Sequence, residues 1–535
     1  MKANFYFDTI LYEEWQKTNT HFLFHEAIKY FLKFFRIIKK AFNNKPCKTS
    51  VIMRLKTILM SVGILLACET VVSTQGRLVT YPAPEGEEMK YDFEVNVRQL
   101  GGEWKPVDTY AVKVDRVHEE RHQVEKASLS YFDFEGEVEV SVKFRQGNIR
   151  EARVRPLSYG IVPEVKDSVL TFRLDRPRNL SVEMNGDIFH NLHLFANPID
   201  WDNPLEGSTL KRLKQRKDLI YFGPGLHRLP GDTLNVPSGT TVYVAGGAVV
   251  RGCIRAVNVR DVKIMGRGKV HPQGRGEGIY IMNSKNVRVE GLITTQCPTG
   301  GSDSVTIRNV KVISSYGWGD GLNVFASNNV LFDGVFARTS DDCTTVYCTR
   351  KGFVGGCRNI TMQNSTLWAD VAHPIFIGLH GNVNNPEVAE DLNYVNIDIL
   401  DHAEKQLDYQ GCLAINAGDE NLIRNVRFEN IRIEDFRQGQ LVNLRIFYNK
   451  KYCKAPGRGI ENVLFKDITY TGNHSELSMI IGYDASRKVK HVRFENLVIN
   501  GERISDKMPG KPGWYKTGDM ARIFIGEHVE NVSFE

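Results

Sequence analysis

The sequence predicts an all-β protein in which a small β-sandwich precedes a parallel β-helix. Three observations support this prediction. Runs of alternating polar and apolar residues occupy residues 78–200, a turn-plus-strand unit recurs from about residue 215 onward, and the recurring unit lacks helical periodicity. Alternation with a period of two is typical of half-buried strands. Units that recur at irregular spacings near 20–40 residues indicate a solenoid, here a β-helix.

The chain opens with a segment that resembles a leader. Residues 53–68 begin Met-Arg-Leu-Lys and continue with about a dozen mostly apolar residues, the arrangement of a secretory signal. Leu-Leu-Ala-Cys at its end resembles a bacterial lipoprotein cleavage box, which would make Cys68 a lipid anchor. Ordinary cleavage after Gly76 is the alternative, and a buried apolar strand is a third interpretation.

These patterns predict how the chain is processed. We expect residues 53–76 to be a signal peptide and residues 1–52 to be an upstream extension from a start site assigned too early. The mature protein would then be exported by a bacterium. Its destination would be the periplasm, the outer membrane as a lipoprotein, or the extracellular space.

Charge is concentrated in the leader. The chain holds 69 Lys and Arg against 63 Asp and Glu, a net charge of +6. Residues 1–76 contain 11 basic and 5 acidic residues, so residues 77–535 hold 58 of each and are neutral. Because affinity for nucleic acid comes from neutralising phosphates, we expect no nucleic-acid partner.

Residues 77–205 are predicted to form the sandwich. Glu137–Phe144 alternates polar and apolar residues, and similar runs occur at Tyr91–Val97, Ser168–Leu174 and Leu180–Met184. Several short strands at this spacing suggest a β-sandwich. The segment has no catalytic constellation, so we interpret it as an accessory domain and a candidate wall of a cleft.

Residues 206–535 repeat a unit in which a turn residue, often Asn, precedes a β-branched residue and alternating apolar positions. The units begin at Asn286, Ser304, Asn329, Asn359, Asn425, Asn462, His491 and Asn531. Each coil of a parallel β-helix adds a strand about 4.8 Å along the axis. Asn tolerates the left-handed backbone of a tight turn and can stack in a hydrogen-bonded ladder. We therefore expect these Asn residues to be structural.

Cysteine usage indicates neither a metal site nor a disulfide framework. Seven cysteines follow residue 76, at 253, 297, 343, 348, 357, 412 and 453. An odd number leaves at least one unpaired, and no pair has zinc spacing. Small buried apolar side chains are the favoured interpretation, and one disulfide between Cys348 and Cys357 is the alternative. We expect no cofactor and no metal.

Residues 316–382 contain the candidate catalytic groups. Asp320 and Asp341 are 21 residues apart, about one coil of a β-helix, and His373 follows Asp342 by 31 residues. Three neighbouring coils would then present Asp320, the Asp341-Asp342 pair and His373 in a column on one face. Consecutive residues of a flat strand point to opposite faces, so the backbone must bend if both members of the pair are to face a groove.

Such a group of side chains suits hydrolysis of a glycosidic bond. One carboxylic acid must protonate the leaving oxygen, and one carboxylate must activate water. Enzymes that invert the anomeric carbon keep these groups roughly 6.5–9.5 Å apart. Carboxylates stacked this closely do not all ionise easily, so one keeps its proton near neutral pH. The expected partner is a polysaccharide or an oligosaccharide.

From about residue 215 to 535, the chain resembles glycoside hydrolase family 28, the polygalacturonase family of right-handed, pectin-lyase-like β-helix enzymes. The family motifs are Asn-Thr-Asp, Asp-Asp, Gly-His-Gly and Arg-Ile-Lys. The resemblance implies that Asp341 is the general acid, that Asp320 and Asp342 activate the water, and that His373 supports the acid. Arg445, in Leu-Arg-Ile-Phe, falls at the family's substrate-binding Arg.

Departures from the family pattern bear on the substrate. Trp318-Gly-Asp replaces Asn-Thr-Asp, Ala-His373-Pro replaces Gly-His-Gly, and Phe447 replaces the Lys that holds a uronate carboxylate. An aromatic ring cannot form that ion pair, although it can stack on a sugar. Together with the neutral charge of residues 77–535, this favours a neutral or differently placed sugar over plain polygalacturonan. The preceding sandwich also resembles the dextranase and isopullulanase family, which uses three Asp residues on α-glucans.

Six further residues are predicted to bind substrate, and each aromatic one has a core position as its alternative. They are Arg445, Trp318, Asn323, His380, Phe447 and Tyr448. Two other functions stay open. A β-helix polysaccharide lyase would use the acidic residues to hold calcium, but no well-placed Lys base is evident. The other is a non-catalytic glycan-binding β-helix.

Overall fold

The computed structural model describes residues 76–118, 121–213, 215–473 and 475–535. The predicted upstream extension, Cys68 and all but the last residue of the predicted signal peptide lie outside these residues. Within the described ranges, no helix is both long and apolar enough to cross a membrane.

The described residues between 78 and 198 form two packed sheets. Their strands are β1 Leu78–Thr80, β2 Phe93–Gln99, β3 Lys105–Val107, β4 Tyr110–His118, β5 Arg121–Phe134, β6 Val138–Phe144, β7 Ala152–Arg155, β8 Glu164–Lys166, β9 Val169–Leu174, β10 Arg178–Met184 and β11 Asp187–Pro198. One sheet has the order β1-β5-β11-β10-β7, with β4 paired to β5, and the other has the order β3-β2-β6-β9-β8. A short 3-10 helix, Leu157–Tyr159, follows β7. In β6, buried Val138, Val140 and Val142 alternate with more exposed polar residues, as the sequence predicts.

The remaining described residues form a parallel β-helix. Its strands are β12 Leu219–Phe222, β13 Gly225–Asn235, β14 Thr241–Val244, β15 Ala248–Val257, β16 Arg260–Gly266, β17 Lys269–His271, β18 Ile279–Met282, β19 Lys285–Glu290, β20 Ile293–Thr294, β21 Thr299–Gly300, β22 Asp303–Arg308, β23 Lys311–Ile313, β24 Leu322–Phe325, β25 Asn328–Asp333, β26 Phe336–Thr339, β27 Thr344–Tyr347, β28 Cys357–Ala369, β29 Ile375–Gly378, β30 Val388–Asp401, β31 Leu413–Ala417, β32 Leu422–Glu434, β33 Gly439–Gln440, β34 Val442–Ile446, β35 Gly459–Thr471, β36 Ser475–Glu476, β37 Ser478–Ile481, β38 Val489–Ile499, β39 Glu502–Ile504, β40 Ile523–Ile525 and β41 Val529–Phe534. The helical segments here are α1 Leu210–Leu213, α2 Thr517–Ala521 and the 3-10 helix Leu407–Tyr409.

Each strand of the β-helix pairs with a strand one coil later, which creates three faces. Face A runs β12-β14-β16-β19-β22-β25-β28-β30-β32-β35-β38-β41. Face B runs from the end of β15 through β18-β21-β24-β27-β29-β31-β34-β37-β40. Face C runs β13-β15-β17-β20-β23-β26 and continues through the second halves of β28, β30, β32, β35 and β38. A right-handed β-helix preceded by a β-sandwich is thus confirmed as the fold class.

The recurring Asn residues line one edge of face A. Asn329, Asn359, Asn425 and Asn462 all have left-handed φ values between 55° and 57°. The Nδ2 of Asn359 donates to Asn329 Oδ1 at 2.8 Å, and the Nδ2 of Asn462 donates to Asn425 Oδ1 at 3.1 Å. The predicted structural ladder is confirmed.

The interior of the β-helix is filled by side chains that stack from coil to coil. Phe428, Phe465, Phe494 and Phe534 occupy one register position, and the Phe465–Phe494 ring centroids lie 4.7 Å apart. That distance matches the spacing between hydrogen-bonded strands. The seven described cysteines are all free, so the alternative of a Cys348–Cys357 disulfide is wrong.

The sandwich packs on face C. Tyr131 of β5 and Phe195 of β11 share one buried apolar cluster with Ile293, Phe336 and Trp368 of face C. The same cluster includes Ile313 of β23, and β23, β26 and β28 lead into the turns that carry Asp320, the Asp341-Asp342 pair and His373.

Candidate active site

The turns from face C to face B bring the four predicted catalytic residues together. Asp320 immediately precedes β24, Asp341 and Asp342 join β26 to β27, and His373 precedes β29. These three face B strands are consecutive, with Leu322 paired to Thr344 and Thr344 to Ile375. The three Asp residues line one cleft of about 400 Å³, and the chain bends at Asp341 as the sequence requires.

His373 lies behind the cleft wall and contacts Asp342. Its ring is fully buried, and Nδ1 is 2.6 Å from Asp342 Oδ1 while Nε2 donates to the Tyr409 carbonyl. Burial lowers the pKa of His373, but the Asp342 carboxylate outweighs burial and the net pKa is raised. The family resemblance implied that His373 supports Asp341; the structure instead pairs it with Asp342.

Asp342 is surrounded by donors. Besides the His373 ring, the His373 backbone N–H donates to Oδ1 at 3.2 Å, and the Tyr347 hydroxyl donates to Oδ2 at 3.3 Å. Donors of this kind stabilise a carboxylate, and a charged donor does so most strongly. Among the three Asp residues, Asp342 therefore has the largest set of hydrogen-bond donors.

Asp341 has fewer donors than Asp342. Its backbone carbonyl accepts from the Thr339 hydroxyl at 2.6 Å, and its side-chain Oδ1 accepts only the Asp342 backbone N–H at 3.1 Å. Burial, followed by the nearby Asp320 and Asp342 carboxylates, raises the pKa of Asp341 well above its usual range. Burial and neighbouring carboxylates of this kind favour the protonated form of a carboxyl group.

Asp320 accepts a hydrogen bond from a neighbouring side chain. The Asn323 side-chain amide donates to its Oδ2 at 2.5 Å, and the Thr345 hydroxyl orients that amide by donating to Asn323 Oδ1 at 2.8 Å. Burial and then the Asp342 charge raise the pKa of Asp320 to about 7, against the effect of the Asn323 hydrogen bond. The three carboxyl groups therefore have different environments, and such differences let neighbouring carboxyl groups act as acid and base.

The cleft also contains left-handed backbone at residues that disfavour it. Trp318, Ala372 and Leu379 have φ values of 46°, 63° and 71°. Each lies next to or close to a cleft group, Asp320, His373 or His380. Non-glycine residues in this region store backbone strain, which is typical of functional sites.

Three of the six predicted substrate-binding residues lie at the cleft. Trp318 projects from the rim with 82% of its surface exposed, and the Arg275 guanidinium lies 5.5 Å from its ring. Asn323 lines the floor, where its amide is already bonded to Asp320. His380 is buried beside Tyr347, and burial together with Arg350 lowers its pKa to about 3.

The other three do not line the cleft. Arg445 bonds Asp408 Oδ1 at 2.7 Å, and Tyr448 is 42% exposed outside the cleft. Phe447 is only 3% exposed and packs with Phe376 in a buried cluster. The prediction that Phe447 stacks on a sugar is therefore wrong, because its ring is buried between the strands and the loops that cover them.

Three cationic residues of the cleft were missed by the sequence reasoning. Arg350, Lys351 and Lys451 line it, and none of them forms an ion pair with any described residue. The Lys351 Nζ lies 5.5 Å from the Phe325 ring, and the Lys451 Nζ lies 4.6 Å from the Tyr452 ring. The Arg-Lys and Lys-Lys dipeptides were the available signal. The neutral total of residues 77–535 concealed this local positive charge, so it is a poor guide to the substrate.

Two further cleft residues carried no sequence signal. Glu404, on the turn one coil beyond His373, is 7% exposed and accepts the Gln406 backbone N–H at 2.7 Å. His122 belongs to β5 of the sandwich and lines the same cleft. In the described part of the chain, no group of three or more His, Cys, Asp and Glu side chains is arranged to hold a metal ion.

Comparisons with known proteins agree with this fold. The family model described as glycosyl hydrolases family 28 matches residues 241–510. The chain is similar in structure to Dex49A from Penicillium minioluteum, with 12% identity, a TM-score of 0.50, and coverage of 85% of this chain and 96% of that one. It is also similar to a family 28 exopolygalacturonase from Yersinia enterocolitica, with 12% identity, a TM-score of 0.45, and coverage of 74% and 96%. No curated protein sequence matches the chain.

Proposed function

The chain belongs to glycosyl hydrolases family 28 and is a polysaccharide-cleaving glycosidase, and we propose that it works by single displacement with three Asp residues. Asp341 is the general acid, and Asp320 and Asp342 activate the attacking water. The observation that carries this assignment is the contrast between Asp341, whose pKa is raised, and Asp342, which is paired with His373.

The proposed reaction proceeds in one step. A water proton moves to the carboxylate of Asp342 or Asp320 as the water oxygen attacks the anomeric carbon. The glycosidic C–O bond breaks, and the leaving oxygen takes the proton of Asp341. The product sugar has the inverted anomeric configuration. His373 contributes by holding Asp342 in place through the contact between its Nδ1 and Asp342 Oδ1.

The cleft charges support an acidic sugar as the substrate. Arg350, Lys351 and Lys451 line the cleft without a direct ion pair among the described residues, and the charges of Arg350 and Lys351 partly offset the raised pKa of Asp320. Cations that line a cleft with low-dielectric walls attract an anionic ligand. They take the place of the family's Lys, where this chain has Phe447. A uronate or another acidic sugar held from a different side of the cleft fits this arrangement.

The test is a screen of purified plant, bacterial and host polysaccharides that includes polygalacturonan and dextran, with NMR of the first anomer released. We expect hydrolysis with inversion. An unchanged anomeric configuration would contradict single displacement, and a product with a new C=C absorbance would identify a lyase. Binding without any cleavage would favour a glycan-binding protein.

The substrate charge has its own test. Replacing Lys351 and Lys451 by Ala should raise KM for an acidic polysaccharide about tenfold, because each exposed charge contributes about 1 kcal/mol or less. The loss should shrink at high salt. An equal effect on dextran would contradict an acidic substrate.

Export is the last part of the proposal. The basic and then apolar residues 53–68 support a signal peptide, and Cys68 supports a lipid anchor. N-terminal sequencing of the native protein is the check. A mature chain that retains residues 1–52 would contradict this proposal.

A further inference from the structure

One buried carboxylate of the sandwich reaches a catalytic loop of the β-helix. Asp115, on β4, is 0% exposed. Its Oδ2 accepts two hydrogen bonds at 2.8 Å, one from the backbone N–H of Gly317 and one from Nδ1 of His122. Gly317 lies in the loop that ends at Asp320. A single oxygen atom of the accessory domain therefore fixes both a cleft-lining His and the loop before a catalytic Asp.

The loop from Tyr316 to Trp318 needs such an anchor. Its three residues have consecutive left-handed φ values of 77°, 66° and 46°. A Cβ atom on Gly317 would lie 2.7 Å from the His122 ring, so only glycine fits beneath that ring. Arg275 donates to the Tyr316 carbonyl at 2.7 Å from the β-helix side. The loop is thus clamped between the two domains.

A second connection runs from the same residue towards the other two catalytic carboxyl groups. The backbone N–H of Asp115 approaches Asp370 Oδ2 at 3.4 Å. Asp370 is held by Arg338 through two bonds of 2.9 and 3.0 Å, and Arg338 also donates to Asn191 of the sandwich at 2.8 Å. Arg338 lies on β26, which leads directly into Asp341.

The contact with Asp115 fixes which His122 nitrogen is left to bind another group. The Asp115 carboxylate is an acceptor, so Nδ1 of His122 carries a proton and donates it. The other nitrogen, Nε2, has no hydrogen-bond partner among the described residues, and the side chain is 43% exposed at the cleft. In a neutral ring this nitrogen accepts a hydrogen bond, which suits a sugar hydroxyl.

We propose that the sandwich is a working part of the active site, in which Asp115 is a positioning residue for the Asp320 loop and His122 binds substrate. This rests on the proposed function, because it assigns Asp320 a part in activating water. Asp115 acts through Gly317 and does not touch the substrate. His122 lines the cleft from the sandwich, whereas Arg350, Lys351 and Lys451 line it from the β-helix.

The chain offers a matched control in Asp133. Like Asp115, it is a fully buried sandwich Asp whose Oδ2 accepts two bonds, from Tyr81 and from Arg267 of the β-helix, each at 2.9 Å. In both residues Oδ1 is buried and has no hydrogen-bond partner among the residues that the structure describes. Asp133 joins the same two domains away from the cleft-lining residues. Its replacement therefore reports what loss of a domain contact does on its own.

The first experiment does not depend on the substrate. Hydrogen exchange is measured for residues 314–321 in the full chain carrying Asp115→Ala, Asp115→Asn or Asp133→Asn. Exchange at Gly317 should accelerate at least tenfold in Asp115→Ala and much less in Asp115→Asn, which retains an acceptor. Unchanged exchange in Asp115→Ala, or equal acceleration in Asp133→Asn, would overturn the positioning role.

The second experiment measures kinetics on polygalacturonan and dextran. Asp115→Ala should lower kcat about 10- to 100-fold with little change in KM, because small misplacement of a catalytic group is costly, and Asp115→Asn should restore most of it. His122→Phe, which keeps a ring over Gly317, should raise KM about fivefold. A kcat loss in Asp115→Ala no larger than that in Asp133→Asn, or an unchanged KM in His122→Phe, would overturn the proposal. If the unmodified protein cleaves neither polymer, the substrate proposal fails while the exchange result still decides the positioning.

Discussion

The Asn edge of face A and the catalytic turns between faces C and B share left-handed backbone, but the edge stabilises the fold while the turns form the active site. At the edge, left-handed Asn359 donates to Asn329 one coil away, and the pattern continues from coil to coil. At the turns, left-handed Trp318 and Ala372 have side chains that cannot offset the strain in this way. The side chains of the edge form hydrogen bonds with one another. The turns instead depend on hydrogen bonds from other parts of the protein, including Asp115 of the sandwich.

Charge separates the two regions in the same way. The edge pairs Asn amides with one another or with exposed carboxylates such as Asp391, whereas the turns crowd Asp320, Asp341 and Asp342 into one cleft. Crowded carboxyl groups weaken the folded state at neutral pH and at the same time supply the unequal protonation that catalysis needs. Changes in the turns should therefore lower turnover without lowering stability, and changes at the edge should lower stability without lowering turnover.

The largest effect is expected from Asp341→Asn. An amide cannot donate a proton to the leaving oxygen, so kcat should fall about 10²- to 10⁴-fold. Glycan binding and the thermal midpoint should be retained, as checked by calorimetry of the inactive variant with the oligosaccharide product. If Asp341→Asn keeps more than a tenth of wild-type turnover, the general-acid assignment is wrong.

The second prediction concerns pH. The pKa of Asp320 is raised to about 7, so Asp320 is protonated below that pH and cannot accept a proton from water. Asp341 loses its own proton only well above its usual range. The kcat/KM should therefore rise with pH up to about 7, with a loss of about tenfold per pH unit on the acid side, and fall only at higher pH.

Asp320→Asn tests the origin of the acid limb. Because Asp320 and Asp342 interact, the limb belongs to the pair, and removing one member should move it to lower pH. A limb that stays near pH 7 in this variant, measured with its residual activity, would show that another group sets it.

The smallest effects are on stability, and they should have opposite signs in the two regions. Asn359→Ala removes a hydrogen bond and puts a residue that disfavours left-handed backbone at a φ of 55°. It should therefore lower the free energy of unfolding by about 1–2 kcal/mol. Asn359→Gly should cost less, because glycine adopts this conformation freely. Thermal midpoints of the two variants, with unchanged kcat as the control, check the prediction.

Asp320→Asn should instead stabilise the protein at pH 8. The folded-state pKa is raised, so the stability that Asp320 contributes at low pH is lost as pH rises through about 7. After allowance for solvent at the cleft edge, the gain should be about 1–2 kcal/mol. A destabilised Asp320→Asn would show that the cleft does not carry this electrostatic strain.

The repetitive parts of the molecule were predictable because they depend on interactions within one coil or between neighbouring coils. Strand alternation, the recurrent Asn turn and the spacing from Asp320 to Asp341 all follow from one coil of a β-helix. That spacing was enough to predict that His373 would lie one coil beyond the Asp pair. Its partner could not be predicted, because only the bend at Asp341 decides which carboxyl group meets the His373 ring.

The irregular parts were not predictable from periodicity. Phe447 and Tyr448 are adjacent in sequence, yet the first fills a buried cluster while the second is exposed away from the cleft. Lys351 and Lys451 reach the cleft on loops whose path depends on the surrounding coils. His122 comes from another domain, so no motif connects it to Asp320.

The in-register edge of face A also bears on how such a protein can evolve. The coils share one left-handed turn and one strand position on face A. The stability of this scaffold therefore does not depend on the length of the loops that leave face B. Loops such as 348–356 and 447–458 can change length and composition while the ladder beneath them keeps its geometry. Substrate preference can therefore drift by loop exchange, whereas the coils tied to the sandwich around Gly317 and Arg338 are constrained to keep their length.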